Sequence, residues 1–209
     1  MANEYVTVAE LKAALKISGA AEDTNLATAA EAASRSIDKR TGRRFYPDAD
    51  ANQIRTYLPV GPNYVKIDDL VTLTSVSDAS GTWTLNTDFL LAPTTAPAEG
   101  RPWDTLRTVR TGAGGWWPEA FQEPGYGAAG RRFTRNSVVT VTGKFGWATV
   151  PPEVKEATMI LASQLFLRPR QAVFGVVGLG FEGEGARISS FDPNLFSLLE
   201  PFMCSSMVE

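Results

Sequence analysis

Histidine is absent from this 209-residue sequence, and cysteine occurs once, at Cys204. Without histidine, the commonest general base and the commonest metal ligand are missing, which excludes Ser-His-Asp, Cys-His and histidine–zinc mechanisms. A single cysteine excludes an internal disulfide and any cysteine-rich metal site. We therefore expect no enzymatic activity, no cofactor and no metal site.

Long apolar runs and a strong net charge are also missing. No uninterrupted apolar stretch approaches the roughly 18 residues that span a bilayer, and the first residues lack the basic and apolar segments of a signal peptide. We expect a protein without membrane contact that first acts in a cytoplasm-like compartment. With a net charge of −3, the protein lacks the overall positive potential of a dedicated nucleic-acid binder.

The charge is unevenly spread along the chain. Residues 101–144 carry seven positive and three negative charges, whereas residues 171–209 carry one positive and five negative. Such blocks could complement neighbouring subunits, although scattered solvated charge is the commoner explanation.

Four segments have the apolar spacing and the end signals of helices. The first begins after Thr7, which can form a capping box with Glu10, and is expected to end at Gly19. The second, rich in alanine, begins near Asp23 or Thr24 and ends at Gly42. Two rows are expected to be buried in the second and third helices: Leu26, Ala30, Ala33 and Ile37, and Val154, Ala157, Leu161 and Leu165.

The two later helices are marked by prolines. The third opens at Pro151-Pro152 and is expected to end at Arg168-Pro169, since the residue before a proline disfavours helix. The fourth begins at Pro193 with Asp192 as its N-cap.

Between Gln53 and Trp147 the apolar period changes from 3.6 to 2, which predicts strands and turns. Strands are expected over residues 54–58, 64–67, 70–76, 83–85, 89–91 and 138–141. The segment 78–81 is typical of a hairpin turn, and Asp68-Asp69 is interpreted as a turn between two strands, because a metal or acid–base site needs more converging carboxylates.

The predicted fold class is therefore α+β, a helical bundle of about four helices with a large β-rich insertion between helices 2 and 3. The helical core is expected over residues 1–49 and 149–170, and the insertion over residues 50–148. Residues 171–209 form a C-terminal arm and the final helix.

Three motifs have competing interpretations. Residues 178–183 match G-x-G-x-x-G, but the helical period that a nucleotide-binding site requires does not follow. The favoured interpretation is a glycine-rich flexible loop whose apolar residues are covered by a partner protein. A basic set could contact phosphates or another subunit, although solvated turns are favoured: Arg43, Arg44, Arg131, Arg132 and Arg135. Trp116 and Trp117 could stack on carbohydrate, but core or interface anchoring is favoured.

Several segments, in this order and spacing, resemble the head–tail connector (adaptor) proteins of long-tailed bacteriophages. They are the TVAELKAALKI helix (7–17), the alanine-rich helix ending RRFYP (26–47), LVTLTSV (70–76) with WTLNTDF (83–89), and VVTVTGKFGW (138–147). In that family a V-T-V-T-x-x-x-G strand is followed by V-P-x-x-V-x-x-A and a helix, as VPPEVKEA is here (150–157). The resemblance leaves out about 111–135 and the chain beyond 170.

The resemblance implies a structural virion protein of the neck, assembled in the host cytoplasm. Such connectors form rings, with twelve copies in related proteins, beneath the portal, where they receive the stopper or tail-terminator protein and let dsDNA pass with transient, non-specific contact. The C-terminal segment reaches the portal, which implies contact through Phe174, Val176, Leu179, Phe181, Ile188, Phe191 and Phe202. The alternative is a surface carbohydrate-binding β-module that acts through its tryptophans.

Overall fold

The computed structural model describes residues 3–59, 61–109, 131–134, 137–171, 176–179, 185–187 and 193–204. The chain divides into two compact units, one formed by Met1–Phe45 with Val150–Glu209 and the other by Tyr46–Thr149. The helices are α1 (Val8–Leu15), α2 (Asp23–Thr41), α3 (Pro152–Gln171) and α4 (Pro193–Leu199), which a short 3₁₀ turn (Glu200–Phe202) follows. The strands are β1 (Gln53–Tyr57), β2 (Tyr64–Asp78), β3 (Gly81–Trp83), β4 (Phe89–Ala92), β5 (Trp103–Thr108), β6 (Val139–Phe145), β7 (Val176–Leu179) and β8 (Gly185–Arg187).

The dominant feature is a six-stranded antiparallel sheet with the order β1-β6-β2-β5-β4, in which β3 also pairs with β2. The expected helical bundle with a β-rich insertion is therefore wrong as a fold class. The described helices are too few and too short to dominate the fold, since α1 has eight residues and α4 has seven. Helical periodicity located these segments, but it could not reveal a sheet whose strands pair across up to 90 residues of sequence, as Gln53 pairs with Gly143.

The sheet buries one face. Alternate residues of β6 are buried, namely Val139, Val141, Gly143 and Phe145. Val139, Val141 and Phe145 belong to one apolar cluster with Phe133 and with residues of the other strands: Val65, Leu70, Val76, Trp83, Phe89 and Leu106. This alternation is the period-2 pattern of a sheet with one face in a core and one in solvent.

Strand β2 is a single element of fifteen residues. The turn expected at Asp68-Asp69 is wrong, because the strand continues through these residues. The β2–β5 ladder shifts register between Lys66 and Leu70, and the β2–β6 ladder shifts twice more, as β-bulges do. A bulge absorbs the irregular alternation around the two aspartates, so the strand bends instead of ending. Strand β5, which the sequence did not reveal, pairs with the N-terminal half of β2.

In the other unit, the predicted start of α1 is confirmed. Thr7 accepts a hydrogen bond from the Glu10 N–H, and the Glu10 carboxylate accepts one from the Thr7 N–H at 2.9 Å. The helix ends earlier than expected, at Leu15, because Lys16 adopts the left-handed conformation with φ 54°. Gly19 also has a positive φ, but it lies three residues beyond the cap.

The predicted bounds of α2 are confirmed, with Gly42 as a left-handed C-cap at φ 69°. Its predicted apolar row is buried, at Leu26, Ala30, Ala33 and Ile37. Helix α3 continues through Pro169 to Gln171, so its expected end was wrong. The bias of the residue before a proline against helix is a preference only, so it does not fix the end of a helix. In the predicted row of α3, Val154, Ala157 and Leu161 are buried and Leu165 is half-buried.

Glu10 joins two helices of its unit. Its carboxylate caps α1 and also pairs with Lys155 of α3. The Lys155 ammonium, with the Thr7 N–H, lowers the pKa of Glu10 from 4.5 to about 2. The folded state therefore gains stability from the ionised carboxylate above pH 4.5 and loses it as pH falls towards 2.

The substitution Glu10→Gln should lower the free energy of unfolding at pH 7 by about 0.5–1 kcal/mol, since the pair is largely exposed. The deficit should shrink as the pH falls from 4.5 towards 2. Urea unfolding across this range measures it. In a double-mutant cycle with Lys155→Met, the two losses should be less than additive; additive losses would show that the two side chains do not interact.

Gly146, directly after β6, packs closely against the segment that precedes β1. It has φ +106° and its N–H donates to the Asp69 carbonyl at 2.7 Å. A Cβ atom there would overlap the Tyr46 carbonyl group and lie 3.0 Å from Pro47 Cα. Both the backbone conformation and the lack of space therefore require glycine.

We expect Gly146→Ala to destabilise the protein by about 2–4 kcal/mol through strain and overlap. The matched control is Gly61→Ala, because a Cβ at Gly61 meets nothing within 4 Å. Thermal unfolding followed by circular dichroism compares the two variants. Equal melting temperatures would contradict the assigned role of Gly146.

Candidate partner-contact residues

The end of α2 is anchored by a buried tyrosine from the N-terminal segment. The Tyr5 hydroxyl donates to the Asp38 carboxylate and accepts a hydrogen bond from the Phe45 N–H at 2.9 Å. Burial raises the pKa of Tyr5, and the neighbouring Asp38 carboxylate raises it further. Burial also raises the pKa of Asp38, although the Tyr5 hydroxyl and the Arg35 guanidinium oppose this. The cluster keeps Tyr5 protonated and holds residues 3–6 on the helix.

Phe202, one of the predicted portal contacts, packs within its own unit. It is half-buried, and its ring lies edge-on to Phe45 with centroids 5.7 Å apart. Two residues on, the Cys204 N–H donates to the Thr41 carbonyl at 2.9 Å. The 3₁₀ turn after α4 is therefore tied to the end of α2.

The two arginines that follow α2 differ in exposure. Arg43 is half-buried and Arg44 is exposed. Arg44 is close enough to Asp38 for its charge to favour the ionised carboxylate, against the larger effect of burial. The Arg44 guanidinium therefore stabilises the ionised form of Asp38.

Arg131 is a structural residue of the sheet unit. Its guanidinium lies 4.6 Å from the centroid of the Trp83 ring, which stacks on Phe133. It pairs with Asp78 and Asp88 at 3.6 Å each and donates to Ser80 and to the Thr82 carbonyl. Burial alone would raise the pKa of Asp78, but hydrogen bonds from Ser80 and the charge of Arg131 lower it below its usual value.

The neighbouring Arg132 is exposed. The structure therefore separates two adjacent arginines that the sequence grouped together. Arg135, Trp116 and Trp117 lie outside the described residues. Trp83 and Trp147 are buried, so neither presents a ring face for a sugar.

Most of the predicted portal contacts also fall outside the described residues. Phe174, Phe181, Ile188 and Phe191 lie there. Val176 and Leu179 belong to β7, which pairs with β8 in a two-stranded antiparallel hairpin. The G-x-G-x-x-G match begins inside this hairpin, and no helix starts among residues 185–187. A dinucleotide site needs a helix at this position, so the motif is not one.

The acidic pair Asp68-Asp69 takes part in contacts within the sheet unit. Arg55 pairs with Asp68 at 2.7 Å and with Asp48 at 2.6 Å, and the Trp147 indole N–H donates to Asp69 at 2.9 Å. Among the described residues, no group of three or more His, Cys, Asp or Glu side chains could hold a metal ion. In the same part of the chain, no helix is long and apolar enough to cross a membrane.

The structure reveals an apolar surface that the sequence did not. Ile54, Leu58 and Val138 are 68%, 64% and 51% exposed. Within residues 54–58, apolar or aromatic side chains occur at both even and odd positions. Their spacing alone therefore could not show which face of β1 is buried. The paired register of β1 and β6 places Ile54 and Thr56 on the face opposite the core, and Leu58, directly after the strand, is exposed as well.

Replacing Arg131 with alanine should lower the free energy of unfolding by about 2–3 kcal/mol, because Asp78 and Asp88 lose their shared cation while partly buried. The matched variant Arg132→Ala should change it by no more than about 0.5 kcal/mol. Chemical denaturation of both variants provides the test. A similar loss in the two would show that Arg131 does not anchor the β2–β3 hairpin.

Comparison with known proteins gives no family assignment from sequence. No protein-family profile matches the chain, and no curated protein matches it significantly. Structural similarity is found to a chain in the neck of an empty gene transfer agent (GTA) particle, computed with C6 symmetry. That chain is 16% identical, with a TM-score of 0.52 over 95% of this chain and 89% of that chain.

A chain in the virion of a native gene transfer agent particle is 18% identical, with a TM-score of 0.45 over 95% of this chain and 89% of that chain. At these identities the likeness concerns the fold. The resemblance to head–tail connectors is confirmed at that level: the chain has the fold of a protein from the neck of a gene transfer agent particle.

Proposed function

We propose that this chain is a structural virion protein, a head-to-tail adaptor. It forms a ring beneath the portal, joins the DNA-filled capsid to the tail and lets DNA pass through its channel. The observation that carries the proposal is the fold shared with a neck chain over 95% of this chain. The neck of that particle was computed with C6 symmetry, which favours a protein that works in several copies.

The residues support a binding role over a catalytic one. The clustered charges of the described part form pairs within the protein, as Arg55 does with Asp48 and Asp68, and Arg131 with Asp78 and Asp88. A group held in a structural pair is poorly placed to transfer protons or bind a substrate. Ring formation instead needs two complementary surfaces on each copy, and a net charge of −3 favours DNA that slides past rather than adheres.

The proposal assigns portal contact to the C-terminal arm. The apolar side chains of residues 174–191 and Phe202 supply the contact, and the stopper or tail-terminator protein binds elsewhere on the ring. The basic residues Arg43, Arg44, Arg132 and Arg135 remain proposed contacts to DNA or to the next subunit, as do Trp116 and Trp117 to the next subunit. Arg131 is committed to the sheet. The ring assembles in the host cytoplasm and ends in the neck of the virion.

The purified chain should form a closed oligomer, with twelve copies expected, and should co-sediment with its portal ring. Native mass spectrometry and sedimentation measure both. The double variant Phe174→Ser/Phe181→Ser should keep the oligomer and lose portal affinity by at least about tenfold, as loss of apolar anchors does.

A chain that stays monomeric at every concentration, alone or with portal, contradicts the proposal. If the double variant keeps its affinity for the portal, the proposed role of the C-terminal arm is contradicted, whereas the proposed ring is not. Binding to a glycan array, lost on Trp116→Ser or Trp117→Ser, would favour the carbohydrate-binding alternative.

A further inference from the structure

Strand β1 is an edge strand with an uncharged solvent face. In the described part of the chain its backbone pairs with β6 alone. Three cross-strand rows make up the face beside this edge. They are Ile54–Thr142–Ser75, Thr56–Thr140–Ser77 and, by extension of the same register, Leu58–Val138. We call these eight residues the β1–β6 patch, and none of them carries a charge.

The opposite edge of the sheet is protected. Leu85 forms a bridge with Phe89 of β4, and the Asn86 N–H donates to the Phe89 carbonyl at 2.8 Å. Pro93 follows the strand at once, and β4 has only four residues. Short strands, prolines and covering loops are the usual means of blocking an exposed edge.

Strand β1 has five residues, and Pro59 lies two positions beyond its end. It contains no proline or lysine, and its one charged residue, Arg55, points to the other face, where it pairs with Asp48 and Asp68 and lies over Phe145. An open edge with β-branched, apolar side chains is a surface on which association is favourable.

We propose that the β1–β6 patch packs against a second copy of this chain and forms one side of the subunit contact. This rests on the ring of the proposed function, which supplies the occupant. The contact is heterologous, because the patch of one copy meets a different surface of the next.

The area of the patch suits such a contact. Ile54, Leu58 and Val138 together expose on the order of 350 Å² of apolar surface, about that of the largest patch on a typical monomer. Threonine and serine hydroxyls surround them, which matches the apolar centre and polar rim of protein interfaces. A standard interface buries roughly 800 Å² on each partner, so the patch supplies its core and part of its rim.

The chemistry of the patch disfavours other occupants. DNA and charged peptides need basic or acidic side chains. On this face of the described strands β1 and β6 the one charged residue is Lys144, which is paired in register with Thr72. A glycan needs an exposed aromatic ring, and the one aromatic residue of β1, Tyr57, lies on the opposite face with its hydroxyl bonded to Asp68. In a closed ring each copy contributes two contacts, so a contact of modest strength is sufficient.

The test is Thr56→Lys, which puts a charge at the centre of the patch without removing buried atoms. The matched control, Thr87→Lys, makes the same change at an exposed turn of the same unit. Mass photometry and sedimentation velocity should show that Thr56→Lys needs at least about a tenfold higher concentration to assemble, because the charge must be desolvated. Thr87→Lys should assemble like the wild type.

Two further measurements keep the test decisive. Circular dichroism and thermal unfolding should give both monomers the same melting temperature within about 3 °C. Hydrogen exchange should show that the backbone amides of residues 54–58 become protected when wild-type rings form.

Equal assembly of the two variants would overturn the inference, as would a Thr56→Lys monomer that melts much lower than the control. The second result would mean that the chain's own residues cover the patch. A wild-type chain that never assembles would instead contradict the proposed function itself, so the two failures are distinguishable.

Discussion

The sheet unit depends on the pairing of β2 along both of its edges. Over fifteen residues this strand bonds to β6 on one side and to β5 and then β3 on the other. Its bulges let it bend while Val65, Leu70 and Val76 stay in the same core. Strands β1 and β4 join the sheet only through β6 and β5, so the whole unit requires that β2 remain continuous.

Two arginines stabilise this sheet in the same way. Arg55 lies over Phe145 and pairs with two aspartates, and Arg131 lies over Trp83 and does the same. In each case a planar guanidinium covers an aromatic ring of the core and pairs with two carboxylates. The Arg55 N–H groups donate to those carboxylates, whereas the Arg131 N–H groups donate to the Thr82 carbonyl and to Ser80. The charges of Arg55 and Arg131 therefore serve contacts inside the sheet unit. A cluster of basic residues in a sequence need not be a nucleic-acid site.

The helical unit relies on contacts between distant segments. Tyr5 bonds to Asp38 and Phe45, Phe45 meets Phe202, and the Cys204 N–H bonds to Thr41. Buried hydroxyls within the helices are satisfied by carbonyls four residues earlier, as Ser34 is by Ala30 and Thr158 by Val154. In this unit the described hydroxyls and the Tyr5 cluster therefore stabilise the packing of the helices.

The sequence by itself determined the local features. The start of α1 at Thr7 and Glu10, the end of α2 at Gly42 and the buried row of α2 depend on residues within a few positions of one another. Their physical causes, capping hydrogen bonds, a left-handed glycine and a 3.6-residue period, are therefore readable in the chain.

Only the tertiary structure decided the rest. It determined that β2 runs through Asp68-Asp69, that the sheet outweighs the helices, that Arg131 is engaged while Arg132 is exposed, and that Ile54 and Leu58 face solvent. Each of these outcomes depends on a partner far away in sequence. Arg131 lies over Trp83, and β1 pairs with β6 more than eighty residues later. Periodicity describes one segment at a time, so it cannot report which distant strand or ring will complete the contact.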